Sequence, residues 1–87
     1  MDVRIKSEDR TLTICLCGDM DHHGARGLME QLDRLLEREL PSKTILDLGE
    51  LSFMDSSGIA VILRAKRRME ALGGILVVVN IPKQAAR

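Results

Sequence analysis

The sequence has almost no aromatic residues: one phenylalanine, no tyrosine and no tryptophan among 87 residues. Proteins that bind single-stranded nucleic acids stack bases on aromatic side chains, so this shortage argues against that class. A surplus of positive charge is also lacking, because 13 Lys and Arg residues balance 13 Asp and Glu residues. A protein that binds phosphate backbones needs such a surplus. We therefore expect no direct nucleic-acid partner.

Long apolar runs are missing as well. None approaches the roughly 18 residues that a membrane-spanning helix requires, and the N-terminus has no apolar stretch typical of a signal peptide. The two cysteines, Cys15 and Cys17, are two residues apart on a predicted strand, where side chains run parallel about 7 Å apart and do not favour a disulfide. We expect one domain in residues 1–87, cytoplasmic, with reduced cysteines and no membrane partner.

The balanced net charge hides an asymmetry along the chain. Residues 1–57 carry 7 basic and 12 acidic side chains, a balance of −5, and residues 58–87 carry 6 basic and 1 acidic, a balance of +5. The two halves either pair with each other or offer an acidic face to a partner. The basic run at residues 64–68 is typical of a solvated helix face, although Arg64 and Arg68, four residues apart, could together hold an acidic partner.

Apolar spacing predicts the secondary structure. Alternation in the first 17 residues indicates a β-hairpin, with Leu12, Ile14 and Leu16 on one face. Spacings of three and four residues then indicate two helices, and five consecutive apolar residues near the end are typical of a central strand covered on both faces. The predicted fold class is α/β, a mixed four-stranded sheet with helices packed on it. The predicted elements after the hairpin are a helix at 22–40, a strand at 43–48, a helix at 57–72 and a strand at 75–79.

Small and polar residues at the start of the second helix form the first candidate site. Asp55, Ser56 and Ser57 are all competent helix caps, so capping alone is one interpretation. Serine hydrolysis is a second, but Met54 stands where a nucleophile elbow, G-x-S-x-G, needs its first glycine. Phosphorylation of Ser56 is the third: the phosphate would meet the free N–H groups of a helix N-terminus and would repel nearby carboxylates.

A second group of polar residues precedes the first helix. Asp19, Asp21, His22 and His23 are all metal-ligand types. Adjacent histidines on a helix diverge by about 100°, so both cannot easily reach one ion. We therefore expect no metal here; instead, Asp21 caps the helix and the histidines lie in its first turn.

Two segments together resemble the anti-sigma factor antagonist family, whose fold is called the STAS domain. They are CGDMDHHGAR at residues 17–26 and LSFMDSSGIAVILRAKR at residues 51–67. The resemblance extends from the hairpin to Pro82 and implies a STAS-like fold. Family members continue beyond the point where this chain ends, adding a helix, a strand and often a final helix. We therefore expect a STAS domain that lacks its usual C-terminal portion, either because the domain is truncated or because these residues are only part of a longer chain. In the first case the exposed edge predicts a homodimer.

The resemblance also implies a non-catalytic phosphorylation switch without a cofactor. In that family, the unphosphorylated antagonist binds an anti-sigma factor, which is a serine kinase, and so releases the sigma factor. The kinase phosphorylates the serine that corresponds to Ser56, and a PP2C-type phosphatase restores it. An alternative is a STAS scaffold or ligand-binding module in another regulatory partnership, without a kinase. The expected partner-binding residues are Asp19, Asp21, His22, Asp55, Ser57, Gly58 and Arg64.

Overall fold

The computed structural model describes residues 2–82, which form one mixed β-sheet and two helices. The sheet has the spatial order β1-β2-β3-β4, in which β1 and β2 are antiparallel and the other neighbouring pairs are parallel. Neither helix is both long and apolar enough to cross a membrane. In chain order the elements are β1 Asp2–Glu8, β2 Thr11–Met20, α1 His22–Glu39, β3 Lys43–Met54, α2 Ser57–Ala71 and β4 Ile75–Val79.

The predicted hairpin is confirmed, and its turn is tighter than the sequence indicated. Only Asp9 and Arg10 connect β1 to β2, with φ angles of 50° and 63°. Two successive positive φ angles are typical of the type I′ turn, whose twist matches that of the flanking strands. Asp tolerates this conformation, and Arg10 is held there because its carbonyl accepts hydrogen bonds from the Ser42 and Lys43 backbone N–H groups.

Both helices pack on one face of the sheet. Leu12, Ile14 and Leu16, which the alternation placed together, are fully buried beneath them. Each such side chain contributes about 2 kcal/mol through burial. The stripes of the two helices are largely buried as predicted. Met29 and Ile62 are half-buried against the core, and Leu40 and Leu72, which follow the last helical residues, are exposed.

Strand β3 is twice as long as predicted. The register with β2 shifts between Cys15 and Cys17 and again between Gly18 and Asp19. These bulges interrupt the alternation of inward and outward side chains, so residues 49–54 carry no strand periodicity although they pair with β2. The extension matters for function, because it brings the ends of β2 and β3 to the same place, with Met20 paired to Met54.

The apolar run of β4 predicted a central strand covered on both faces, which was wrong, whereas the exposed edge expected from the family resemblance is present. β4 pairs only with β3 and forms the edge of the sheet within residues 2–82. Leu76 and Val78 face the core beneath the helices, whereas Ile75, Val77 and Val79 lie on the opposite face beside Lys43, Ile45 and Asp47. An apolar run therefore arose here from an edge strand whose open face is also apolar.

The face of the sheet opposite the helices is uncovered in the described residues. Thr11, Thr13, Cys15 and Cys17 of β2 lie on it and are half-buried. The expected side-chain separation of the cysteines was wrong: their Sγ atoms are 4.0 Å apart, and both thiols are free. Burial, followed by the contact with Cys17, raises the pKa of the Cys15 thiol above its ordinary value.

Candidate functional site

The two polar segments singled out from the sequence lie side by side. Each follows a strand of one parallel pair, so both are at the same edge of the sheet, where functional groups of α/β folds usually lie. The Asp55 backbone N–H donates to the Met20 carbonyl over 3.2 Å, which joins the segments directly. Asp19 lies opposite Phe53 at the end of β2 and is exposed.

Asp21 is the N-cap of α1, as predicted. Its backbone is extended, and its Oδ1 accepts a hydrogen bond from the Gly24 N–H over 2.8 Å. A carboxylate at this position also interacts favourably with the positive end of the helix dipole. Because the side chain remains exposed, its negative charge is available to a partner at the same time as it caps the helix.

Asp55, rather than Ser56, supplies the side-chain oxygen at the start of α2. Its Oδ1 accepts from the Ser57 N–H over 2.8 Å. Ser56 occupies the N-cap position with helical backbone angles, and its side chain makes no capping hydrogen bond. Capping therefore does not account for Ser56, whose hydroxyl is exposed at the tip of the junction.

The N–H groups at the start of α2 are already occupied, contrary to expectation. Asp55 Oδ1 takes that of Ser57, the Asp55 carbonyl takes that of Gly58 over 3.0 Å, and the Ser56 carbonyl takes that of Ile59 over 3.2 Å. These bonds leave no unbonded N–H among residues 57–59 to bind an anion. A phosphate on Ser56 would therefore add charge to the surface without being neutralised by these groups.

His22 and Ser57 connect the two segments through their side chains. His22 Nδ1 lies 3.3 Å from Ser57 Oγ, and this polar contact joins the first residue of α1 to the first residue of α2. The sequence gave no reason to pair them, since they are 35 residues apart. The histidine is thus beside Ser57 and has no hydrogen bond to Ser56.

Gly58 has an internal role that the sequence did not indicate. It is buried, and a Cβ atom at this position would overlap Cγ and Sδ of Met54. Gly58 is among the expected partner-binding residues, but its missing side chain makes room for Met54 between α2 and the sheet. Exposed Ser56 and half-buried Ser57 therefore belong to the surface, whereas Gly58 shapes it from below.

Arg64 lies about two turns along α2 and is bonded to α1. Its Nη2 is 2.6 Å and its Nε 3.2 Å from the carboxylate of Asp33, and Arg68 Nη2 reaches the same carboxylate over 3.1 Å. The Arg64 hydrogen bond is the largest cause of a lowered pKa for Asp33. Asp33 was not among the site residues predicted from the sequence. Its position beside the buried Leu32 and Leu36 could have indicated an acid that is partly buried and paired with a base.

Removing the charge of Asp33 should destabilise the protein by about 1–2 kcal/mol, because the carboxylate is largely buried and accepts several charge-assisted hydrogen bonds. Since its pKa is lowered on folding, this contribution is present above the ordinary value of 3.8 and is lost as pH falls below it. Urea unfolding of wild type and Asp33→Asn should therefore differ near neutral pH and converge in acid. Glu37→Gln, which alters only the exposed partner of Arg68, should change little; a pH-independent difference for Asp33→Asn would contradict this account.

Two adjoining cavities form a groove between α1 and α2, here called the α1/α2 groove. One, of about 300 Å³, begins at His22 and Ser57, and the other, of about 440 Å³, continues to Arg67 and Arg68. Met29 and Ala60 line both, and Arg64 lines the second. Arg64 is therefore apart from the acidic junction and connected to it only along this groove.

Exposed apolar side chains precede and follow Ser56 in the sequence. Phe53, the only aromatic residue, is 47% exposed, and Ile59 is 51% exposed. Large apolar side chains exposed beside charged ones are typical of protein–protein contact sites. Among residues 2–82 no cluster of three or more His, Cys, Asp or Glu side chains could hold a metal ion. The arrangement favours recognition of another protein.

The chain is similar to proteins of one known family. The STAS domain matches residues 2–87. An anti-sigma F factor antagonist of Paenibacillus polymyxa is 32% identical over 83 residues, which are 93% of this chain and 71% of the relative. Its counterpart from Lysinibacillus sphaericus is 33% identical over 70 residues, 80% of this chain. The chain spans only 60% of that second relative's length.

Solved structures agree with the sequence comparison. SpoIIAA, an anti-sigma factor antagonist from Bacillus, has been solved in unphosphorylated and phosphorylated forms, with TM-scores of 0.79 and 0.80. Each is 27% identical and aligns with 98% of this chain and 78% of the solved chain. The predicted STAS-like fold, a mixed sheet with helices on it, is thereby confirmed.

Proposed function

Because the chain belongs to the STAS domain family, we propose that it is an anti-sigma factor antagonist switched by phosphorylation of Ser56. In its unphosphorylated form it binds an anti-sigma factor that is also a serine kinase, and this binding releases the sigma factor. The observation that carries the proposal is the exposed Ser56 hydroxyl, which has no capping role because Asp55 performs it. The similarity to anti-sigma F factor antagonists supports the same partner class.

The surface around Ser56 suits a partner that carries both apolar and basic side chains. Phe53 and Ile59 provide apolar contact area, and the carboxylates of Asp19 and Asp21 provide negative charge on the neighbouring segment. His22 and Ser57 hold the two segments together. Binding of the kinase across both segments would place its active site over Ser56 and its basic side chains opposite Asp19 and Asp21.

Phosphorylation would end binding through charge. The new group carries about −1.5 to −2 charges and lies next to Asp55. Because the N–H groups of residues 57–59 are already hydrogen-bonded, the helix N-terminus would not bind the phosphate and neutralise its charge. It would change the electrostatic surface without requiring a change of fold. A PP2C-type phosphatase would return the protein, which acts in the cytoplasm, to its binding form.

Asp21 offers a test that separates capping from partner binding. Asp21→Ala should cost about 1 kcal/mol of stability, because it removes the cap of α1. Asp21→Ser keeps a capping oxygen but removes the charge, so its thermal midpoint should stay close to that of wild type. Both variants should bind the anti-sigma kinase about tenfold more weakly, measured by calorimetry. Wild-type affinity for Asp21→Ser would show that the partner does not contact this charge.

The proposed activity can be tested by reconstitution. Purified anti-sigma factor kinase is saturated with a labelled sigma factor, and the chain is added with ADP so that phosphorylation is prevented. We expect the sigma factor to be displaced in proportion to added protein, measured by fluorescence anisotropy. A sample of the chain that has been denatured and refolded serves as a control, because it should regain the ability to displace the sigma factor. If sigma factor stays bound while the chain also fails to bind free kinase, the proposal is wrong.

The contact between His22 and Ser57 gives a catalytic alternative one specific basis. A histidine 3.3 Å from a serine hydroxyl is the arrangement of a base beside a nucleophile. Within residues 2–82, however, His22 has no hydrogen-bonded carboxylate to orient it, as a Ser-His-Asp triad requires. A fluorophosphonate probe should leave the wild type unlabelled. Labelling that is lost in Ser57→Ala and retained in Ser56→Ala would identify a hydrolase instead.

A further inference from the structure

The open face of the sheet carries a pair of thiols that the proposed function does not use. Cys15 and Cys17 are the only cysteines in the chain, are free, and have their Sγ atoms 4.0 Å apart. They lie beyond the sheet from α1 and α2, on a face that no element of residues 2–82 covers. Both residues are half-buried.

The separation of the sulfur atoms suits a bridging metal ion better than a direct bond. A disulfide requires an S–S distance of about 2.05 Å, so the two sulfurs would have to approach by about half their separation. A univalent ion held by two thiolates prefers to lie nearly in line with both sulfurs, and two bonds of about 2.2 Å then span about 4.4 Å, so the sulfurs would have to part by only about 0.4 Å from their 4.0 Å separation. The pair can therefore hold one ion between its sulfurs with little movement of β2.

The surroundings restrict which ion fits. Zinc takes four ligands, and no third His, Cys, Asp or Glu in residues 2–82 completes a cluster with the pair. Asp47, paired with Cys15, already accepts hydrogen bonds from the Gly49 N–H and the Asn80 side chain. Soft thiolate ligands select Cu(I) as well as zinc. Cu(I), unlike zinc, can be bound by two sulfurs alone, which is the number of ligands that this face offers.

We propose that Cys15 and Cys17 form a two-thiolate binding site for Cu(I). Binding exchanges the two thiol protons, which pass to solvent, for one cuprous ion; no electron is transferred. The product carries one negative charge, from two thiolates and one univalent cation. Arg4 pairs with Cys15 across the antiparallel hairpin, and Asp47 and Glu50 of β3 pair with Cys15 and Cys17, so the charged neighbours of the thiols are one cation and two carboxylates. This balance favours a bound cation over two bare thiolates. The site is independent of Ser56 and of any kinase.

Competition with a colorimetric Cu(I) chelator under anaerobic, reducing conditions tests the site. The wild-type chain should withdraw one copper per polypeptide chain from the chelator and keep, by size exclusion, the oligomeric state that it has without copper. Cys15→Ser and Cys17→Ser should each bind roughly 10²–10⁴-fold more weakly, because the remaining thiolate loses its tethered partner. Their thermal unfolding without copper should match that of wild type, which shows that the loss is not one of folding.

The remaining outcomes contradict the site. If either single variant holds copper as tightly as wild type, the pair is not the ligand set. If no protein removes copper from the weakest chelator of a graded series, there is no site. A stoichiometry of one copper per two chains, accompanied by a copper-dependent dimer, would mean that thiols of different chains share the ion and would overturn the intrachain geometry.

Discussion

Replacing Ser56 by aspartate is expected to weaken binding to the anti-sigma factor kinase at least tenfold while leaving the fold intact. The added carboxylate stands next to Asp55 on a surface that already carries the charges of Asp19 and Asp21. Like charges brought together at an interface cost several kcal/mol, and 1.4 kcal/mol corresponds to a tenfold change in Kd. No N–H group among residues 57–59 is open to neutralise it.

Ser56→Asn is the matched control for this prediction. Asparagine has nearly the same size and shape as aspartate but no charge, so it should bind the kinase much more tightly than Ser56→Asp does. Both variants should unfold at a temperature close to that of wild type, because Ser56 is exposed and makes no capping bond. Equal affinities of the aspartate and asparagine variants in calorimetry would show that the effect comes from shape and not from charge.

The buried parts of the fold were largely predictable from the sequence. The apolar stripe of α1 and the alternating apolar residues of β2 were recognisable because each element is buried on one side only. Asp21 was recognisable as a cap because an aspartate directly before a helix accepts hydrogen bonds from its first N–H groups. The apolar run of β4 did not reveal its edge position, because such a run also arises when the open face of an edge strand is apolar; only the family resemblance predicted an exposed edge. The extension of β3 was concealed by bulges, which break the period on which the prediction depended.

The candidate site was predictable as a set of residues but not as an arrangement. Sequence alone offered three capping residues before α2 and could not say which oxygen is used. The choice of Asp55 frees Ser56, and it emerges only from backbone angles at the start of the helix. The His22–Ser57 contact and the ion pairs of Asp33 with Arg64 and Arg68 join residues more than 30 positions apart. Such pairings depend on tertiary structure.

The kinase is expected to phosphorylate Ser56 and not the adjacent Ser57. Ser56 is exposed with an unused hydroxyl, whereas Ser57 is half-buried and shares a polar contact with His22. A kinase active site must reach the hydroxyl and align it with ATP, which favours the exposed residue. Ser56→Ala should therefore abolish labelling. Ser57→Ala, the matched control, should retain most of it, because the target hydroxyl is still present.

The most direct measurement is intact-mass spectrometry after incubation with the anti-sigma factor kinase and ATP. We expect one added phosphate on the wild type and on Ser57→Ala, none on Ser56→Ala, and removal of that phosphate by a PP2C-type phosphatase. An unmodified wild type under conditions in which the kinase modifies a known antagonist, or a Ser56→Ala variant labelled as fully as wild type, would contradict the proposal.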